Sequence, residues 1–217
     1  MVIVICLVAA FALLSWVYGP VRYKYRLTVD VSTPSGAKSG SAVQQIVVRP
    51  TLPLLAASQY TTTQEGDAVA IELPDGSTLF VLLNQEIVRS ALAEGRSTDM
   101  KTPLEEAERG RVYEYSPPPP RKDGLIYLPN YVKFRDLADP ASVYAVDPSD
   151  VGGGAAISRI TVELTRGRLT RTIHRRLPWL ANHYGKNLRG VRSIVAIDPR
   201  KDLAGAMGSG AFRMPRP

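Results

Sequence analysis

The chain has 217 residues, 45% hydrophobic and 22% charged, which are ordinary proportions for a folded domain. Its single cysteine, Cys6, excludes an intramolecular disulfide and a cysteine-rich metal site. The net charge of +7 is uneven: residues 1–150 hold 14 Lys/Arg against 17 Asp/Glu, whereas residues 151–217 hold 13 against 3, so the basic end suits a polyanion or an anionic membrane surface.

Val2 to Tyr18 (VIVICLVAAFALLSWVY) carries one polar residue, Ser15. Seventeen residues at helical rise reach about 26 Å, the short end of a membrane span. Trp16 and Tyr18 stand where aromatic side chains meet headgroups, and Gly19-Pro20 ends the helix. No small-residue cleavage site precedes Gly19, so residues 1–20 are expected to be a retained single-pass anchor rather than a signal peptide. Arg22, Lys24 and Arg26 follow directly and, by the positive-inside rule, favour a cytoplasmic domain.

From Tyr23 to Thr33, Tyr23, Tyr25, Leu27, Val29 and Val31 alternate with polar residues, a period of two that predicts a strand. Pro34-Ser35-Gly36 is a turn, and Ser39 to Arg49 forms the second strand of an antiparallel hairpin. Residues 50–64 read as irregular. Asp67 to Leu73 and Ser77 to Leu83 are strands about a Pro74-Asp75-Gly76 turn. Asn84 caps a helix from Gln85 to Glu94, with Ile87, Val88, Ala91 and Leu92 as its apolar stripe.

Residues 96–122 are charged and proline-rich, with a helix opening at Thr102 and a polyproline run at Pro117 to Pro120, and are expected to form a long loop. Leu125 to Phe134, Ser142 to Val146 and Ile157 to Thr165 read as strands, with Asp-Pro turns between them. Arg168 to Arg176 continues into a strand or helical turn, Leu177 to Leu180 is an apolar anchor, and Ser193 to Ile197 is a last short strand. Residues 201–217 are expected to be a flexible tail, which leaves 21–200 as the β-rich domain.

The stretches YRLTVDVSTPSGAKSGSAV, GDAVAIELPDGSTLFVLL and PNYVKFRDLADPASVYAVDPSD, together with ITVELT and RLPWL, resemble a set of uncharacterised bacterial membrane-anchored proteins. The resemblance covers most of residues 23–180 and implies no catalytic residue. Members of this set often carry basic residues before the hydrophobic segment, which implies a domain outside the cytoplasm; this sequence lacks them.

The chemistry of an enzyme is hard to assemble from these residues. The two histidines, His174 and His183, have no metal-ligand spacing, and Arg171, Arg175 and Arg176 would repel a cation. Lys38 and Ser39 are adjacent on a strand and point to opposite faces, which disfavours a Ser–Lys pair. Asp136, Asp139, Asp147 and Asp150 offer oxygen ligands for Ca²⁺, but their spacing is not that of an EF-hand, and Pro140 and Pro148 after two of them mark turns. The cluster Arg166, Arg168, Arg171, Arg175 and Arg176 is the best candidate site, since guanidinium forks match phosphate oxygens.

These readings converge on a mainly β (α+β) fold: an N-terminal transmembrane helix, then an antiparallel-sheet domain with one clear helix and long loops. The expected function is a non-enzymatic binding or scaffolding module of the inner membrane, with its domain outside the cytoplasm. No cofactor is expected. Membrane lipid and an unidentified protein are the expected partners, and nucleic acid is disfavoured because no helix-turn-helix or aromatic RNA-binding pattern is present. Alternatives are a polyanion binder using the basic third and an envelope hydrolase.

Overall fold

The computed structural model describes residues 19–50, 60–85, 87–88, 110–115, 128–192 and 197–214. The chain is mainly β, built from antiparallel sheets with few helices. The hydrophobic segment 2–18, with Trp16 and Tyr18, lies outside the described residues. Among the described residues, no helix is long and apolar enough to cross a membrane.

The organising element is the hairpin of β1 (Val21–Thr33) and β2 (Gly36–Pro50), paired without interruption from Val21↔Val48 to Thr33↔Gly36. Tyr23, Tyr25, Leu27, Val29 and Val31 are all buried on one face of β1, as the alternation predicts. Gly36 takes φ +114° in the tight turn, where a Cβ would strain the backbone. β3 (Tyr60–Asp67) adds to β2, β9 (Ala156–Leu164) adds to β1, and β6 (Val112–Tyr115) and β10 (Arg213–Met214) form the edges. The resulting six-stranded order is β10-β3-β2-β1-β9-β6.

A second sheet has the order β4 (Val69–Glu72), β5 (Thr78–Val81), β7 (Tyr131–Phe134), β8 (Val143–Ala145). β5 and β7 are buried at every position, because this sheet is covered on both faces. One face contributes Val69, Ile71, Leu79, Val81 and Tyr131 to the core shared with the larger sheet. Ile87 and Val88 of the expected helix join that core; Ala91 and Leu92 lie outside the described residues. The other face, with Phe80, Val132, Phe134 and Val143, packs under a C-terminal layer of short helical turns. Those turns are Ile173–Arg175, Pro178–His183, Leu203–Ala206 and Ser209–Ala211.

Three expectations are corrected. The tail expected at 201–217 is folded through Met214: Phe212 and Met207 are fully buried, and Arg213–Met214 pairs with β3. Glycine content suggested fraying there, but the exposed aromatic face of the second sheet supplied a partner. The irregular reading of 50–64 overlooked β3, whose Thr61, Thr62 and Thr63 are strand-formers that lack an apolar alternation. The long loop at 96–122 contains β6, with Tyr113 and Tyr115 buried in the core. The rest of that loop, and the strand expected at Ser193 to Ile197 apart from Ile197 itself, lie outside the described residues.

Candidate anion-binding cleft

The outward face of β1 carries Arg22, Lys24 and Arg26, because the side chains between them point into the core. The hairpin register sets Gln45 beside Lys24 and Val47 beside Arg22, and β3 sets Glu65 beside Gln45. Arg49 lies one step further along the same face, with its guanidinium donating to Thr63 Oγ1 at 3.2 Å.

After β9 the chain does not continue the sheet. Thr165 N donates to Lys24 O at 3.0 Å, so the strand ends beside β1. The segment 165–172 then crosses the outer face to the far edge of β2. There Thr170 N donates to Val43 O at 2.9 Å and Val43 N donates to Thr170 Oγ1 at 2.8 Å. Asp67, at the end of β3, closes the crossing by accepting from Ile173 N at 2.9 Å. Gly167 passes Val43 at van der Waals distance, a Cβ there standing 3.4 Å from Val43 Cγ2.

Between this strap and the sheet lies a cleft of about 680 Å³, lined by Arg22, Lys24, Gln45, Arg49, Glu65, Arg168, Leu169 and Arg171. Gln45 Nε2 donates to Glu65 Oε2 at 3.4 Å, and both residues are nearly buried. Among the described residues, the lining thus holds five cations and one carboxylate. The cleft lies at the end of the sheet where β1 begins, next in sequence to the hydrophobic segment.

Asp67 anchors the strap from a buried position with no exposed surface. Burial raises its pKa, and this is opposed by the Ile173 N–H and by the positive charges of Arg213 and Arg171. Arg213 Nε lies 3.7 Å from Asp67 Oδ1. Behind the cleft, on the inner face of the same strands, a buried amide–phenol network spans three strands. Tyr25 OH donates to Gln44 Oε1 at 2.7 Å, Gln64 Nε2 donates to Tyr25 OH at 2.7 Å, and Gln44 Nε2 donates to Asp67 O at 2.8 Å. Burial pushes the Tyr25 hydroxyl well above the usual phenol range, so it stays a neutral hydrogen-bonding group.

The structure divides the arginine cluster expected from the sequence. Arg168 and Arg171 enter the cleft, and exposed Arg166 lies on the same strap outside its lining. Arg175 and Arg176 lie beyond Asp67 on the short helical turn, where Arg176 pairs with Glu72. Sequence reasoning missed Arg22, Lys24 and Arg49 as site residues and treated the first two only as topology signals. The signal was available: the turn at Gly36 fixes the hairpin register, which puts Arg22, Lys24 and Arg49 on one face. The path of the strap had no such signal.

The histidines and acidic turns take other places. His183 stacks edge-on against Trp179 at 5.4 Å and its Nδ1 bonds Trp179 O, while His174 is exposed. Among the described residues, no group of three or more His, Cys, Asp or Glu side chains is placed to hold a metal. The acidic turns bond to themselves: Asp136, Asp139, Asp147 and Asp150 each accept a backbone N–H two residues on. No protein-family model, curated protein or solved structure matches the chain.

Proposed function

We propose that the chain is a non-enzymatic, single-pass membrane-anchored binding module of the bacterial inner membrane. Residues 2–18 anchor it, and the cleft engages the anionic lipid headgroups of the same bilayer. One observation carries this reading: five cations from three separated stretches of chain converge where the chain leaves its hydrophobic segment. Arg22 follows Tyr18 by four residues, a reach of about 14 Å at full extension. Lipid phosphates are then the nearest anions, and each basic residue near such a surface contributes on the order of 1 kcal/mol. The division of labour within β1 supports it too, since the side chains that do not build the core are cations at this end.

The test uses the full chain in nanodiscs of phosphatidylcholine alone or mixed with phosphatidylglycerol, read by amide hydrogen exchange. Protection of Val21 to Arg26 and of 165–172 should rise with the anionic lipid and fall with added salt. Equal exchange in both lipids would remove the reading.

A further inference from the structure

We infer that the cleft is a defined site for a phosphorylated carbohydrate bearing two or more phosphoryl groups. Its phosphates would meet Arg22, Lys24, Arg49, Arg168 and Arg171, and a sugar hydroxyl would donate to Glu65. The inference rests on the headgroup-binding reading above and narrows it from a surface attraction to one ligand class.

Size is the first argument. A volume of about 680 Å³ falls within the roughly 300–1,000 Å³ of small-molecule sites and far exceeds one phosphoryl group. Charge is the second. Arg171 also lies close enough to Asp67 to lower its pKa; the other four cations against Glu65 still leave an excess of three positive charges among the described residues, which a single phosphodiester does not match. Four of the five cations are arginines, whose planar forks bind phosphoryl oxygens in pairs, whereas lysine acts as a point charge.

Glu65 supplies the third argument. A carboxylate repels a phosphoryl oxygen placed beside it, so a site for a pure polyanion gains nothing from it. The same carboxylate accepts a hydrogen bond from a hydroxyl. Glu65 is held in place by Gln45 and by its position in β3, so it presents a fixed acceptor among the cations. A ligand with both phosphates and hydroxyls satisfies the whole lining. Rigidity is the fourth argument. Three cations stand on paired strands, and the strap that carries the other two is fixed at Thr165, Thr170 and Ile173. Little backbone ordering then remains for the ligand to offset.

Such a group could be free or lipid-linked, and the experiment separates the two. The full chain in phosphatidylcholine nanodiscs is titrated calorimetrically with a hexose bisphosphate, with pyrophosphate and with inorganic phosphate. A parallel arm places diphosphorylated lipid A in the nanodisc and follows exchange in 165–172. Saturable binding is expected for the hexose bisphosphate, weakened about tenfold or more by Arg168→Gln or Arg49→Gln. Arg175→Gln, outside the cleft, should leave it unchanged. Glu65→Gln should weaken the sugar bisphosphate but not pyrophosphate, a split that general misfolding would not give. Protection by the lipid that the free sugar competes away shows one site for both sources. Protection without competition assigns the site to the headgroup.

The inference is overturned if neither sugar-phosphate probe binds saturably, or if Arg175→Gln weakens binding as much as Arg168→Gln. If the phosphatidylglycerol effect on exchange persists in that case, the headgroup reading stands without it; if both vanish, the headgroup reading fails as well.

Discussion

Gly40 marks a close approach of the two sheets. A Cβ there would stand 2.6 Å from Ile71 Cγ1 and 3.1 Å from the Ala70 carbonyl oxygen, and the backbone atom cannot swing aside. Gly40→Ala should therefore destabilise the fold by about 1–3 kcal/mol, the usual cost of overpacking, seen as a lower urea midpoint. An unchanged midpoint would mean that the sheets have slack at this contact. Asp67 sets a second test, in pH. Its folded-state pKa lies above the ordinary value of 3.8, chiefly because burial removes its carboxylate from water. The native state then holds the proton more tightly than the unfolded chain does. Stability contributed by this group is complete below the unfolded pKa and is lost as pH rises through the folded one. The stability of the parent chain minus that of Asp67→Asn should thus decline with rising pH, starting from the ordinary aspartate range. A difference that grows with pH would show the two arginines overcoming desolvation. The exposed aspartates behave in the opposite sense: Asp75 is lowered first by the Ser77 hydroxyl, and Asp147 by that of Ser149. Their hydrogen bonds lie within single turns, which is why acidic spacing that could suggest calcium instead closes loops.

The C-terminal layer is the element whose importance is least expected from its composition. Phe212 packs at 5.8 Å from Phe80, 5.6 Å from Phe134 and 6.0 Å from Trp179, and Trp179 Nε1 donates to Leu137 O at 2.8 Å. Phe212→Ala should cost about 3–5 kcal/mol in chemical unfolding, as for other buried aromatic truncations, whereas a frayed tail would show no change. Local sequence disclosed the hairpin, since the alternation of Tyr23 to Val31 and the turn at Pro34 to Gly36 mark two antiparallel strands, though the second begins at Gly36 and not at Ser39. It disclosed β4, β5 and the turn between them for the same reason. It did not disclose β3, whose Thr61 to Thr63 run has no alternation, or β6, surrounded by charged and proline-rich residues. Nor did it disclose the C-terminal layer, because short helical turns carry no period and are held by an aromatic face distant in sequence, at Phe80 and Phe134. The cleft was half legible. Arg168 and Arg171 stood out by charge, while the strap's path depends on Val43 and Asp67, far from it in sequence.

At the scale of the whole molecule, the three-layer arrangement leaves one broad face of the six-stranded sheet free of the second sheet, and the basic strap crosses it. The cleft thus joins two cations of the basic third, Arg168 and Arg171, to Arg22, Lys24 and Arg49 from the first quarter of the chain. This bears on orientation. Arg22, Lys24 and Arg26 directly follow the hydrophobic segment, and read as flanking charges they argue for a cytoplasmic domain. Within the fold each has another role: Arg22 and Lys24 line the cleft, and Arg26 pairs with Glu163 at 3.4 Å across β1 and β9. Charges required by the folded domain carry less weight as orientation signals. We propose that the domain lies on the outer side of the inner membrane, a topology that can be tested directly. A phosphatase fused at the C-terminus, active only outside the cytoplasm, should be active in cells expressing the full chain. Replacing Arg26 with Gln should leave that activity in place and lower only the domain's stability, by up to about 1 kcal/mol for an exposed pair. An inactive phosphatase, paired with an active cytoplasmic reporter at the same position, would turn the cleft to the cytoplasmic leaflet. The headgroups within its reach would then be those of that leaflet, and the ligands to test would be cytoplasmic sugar phosphates.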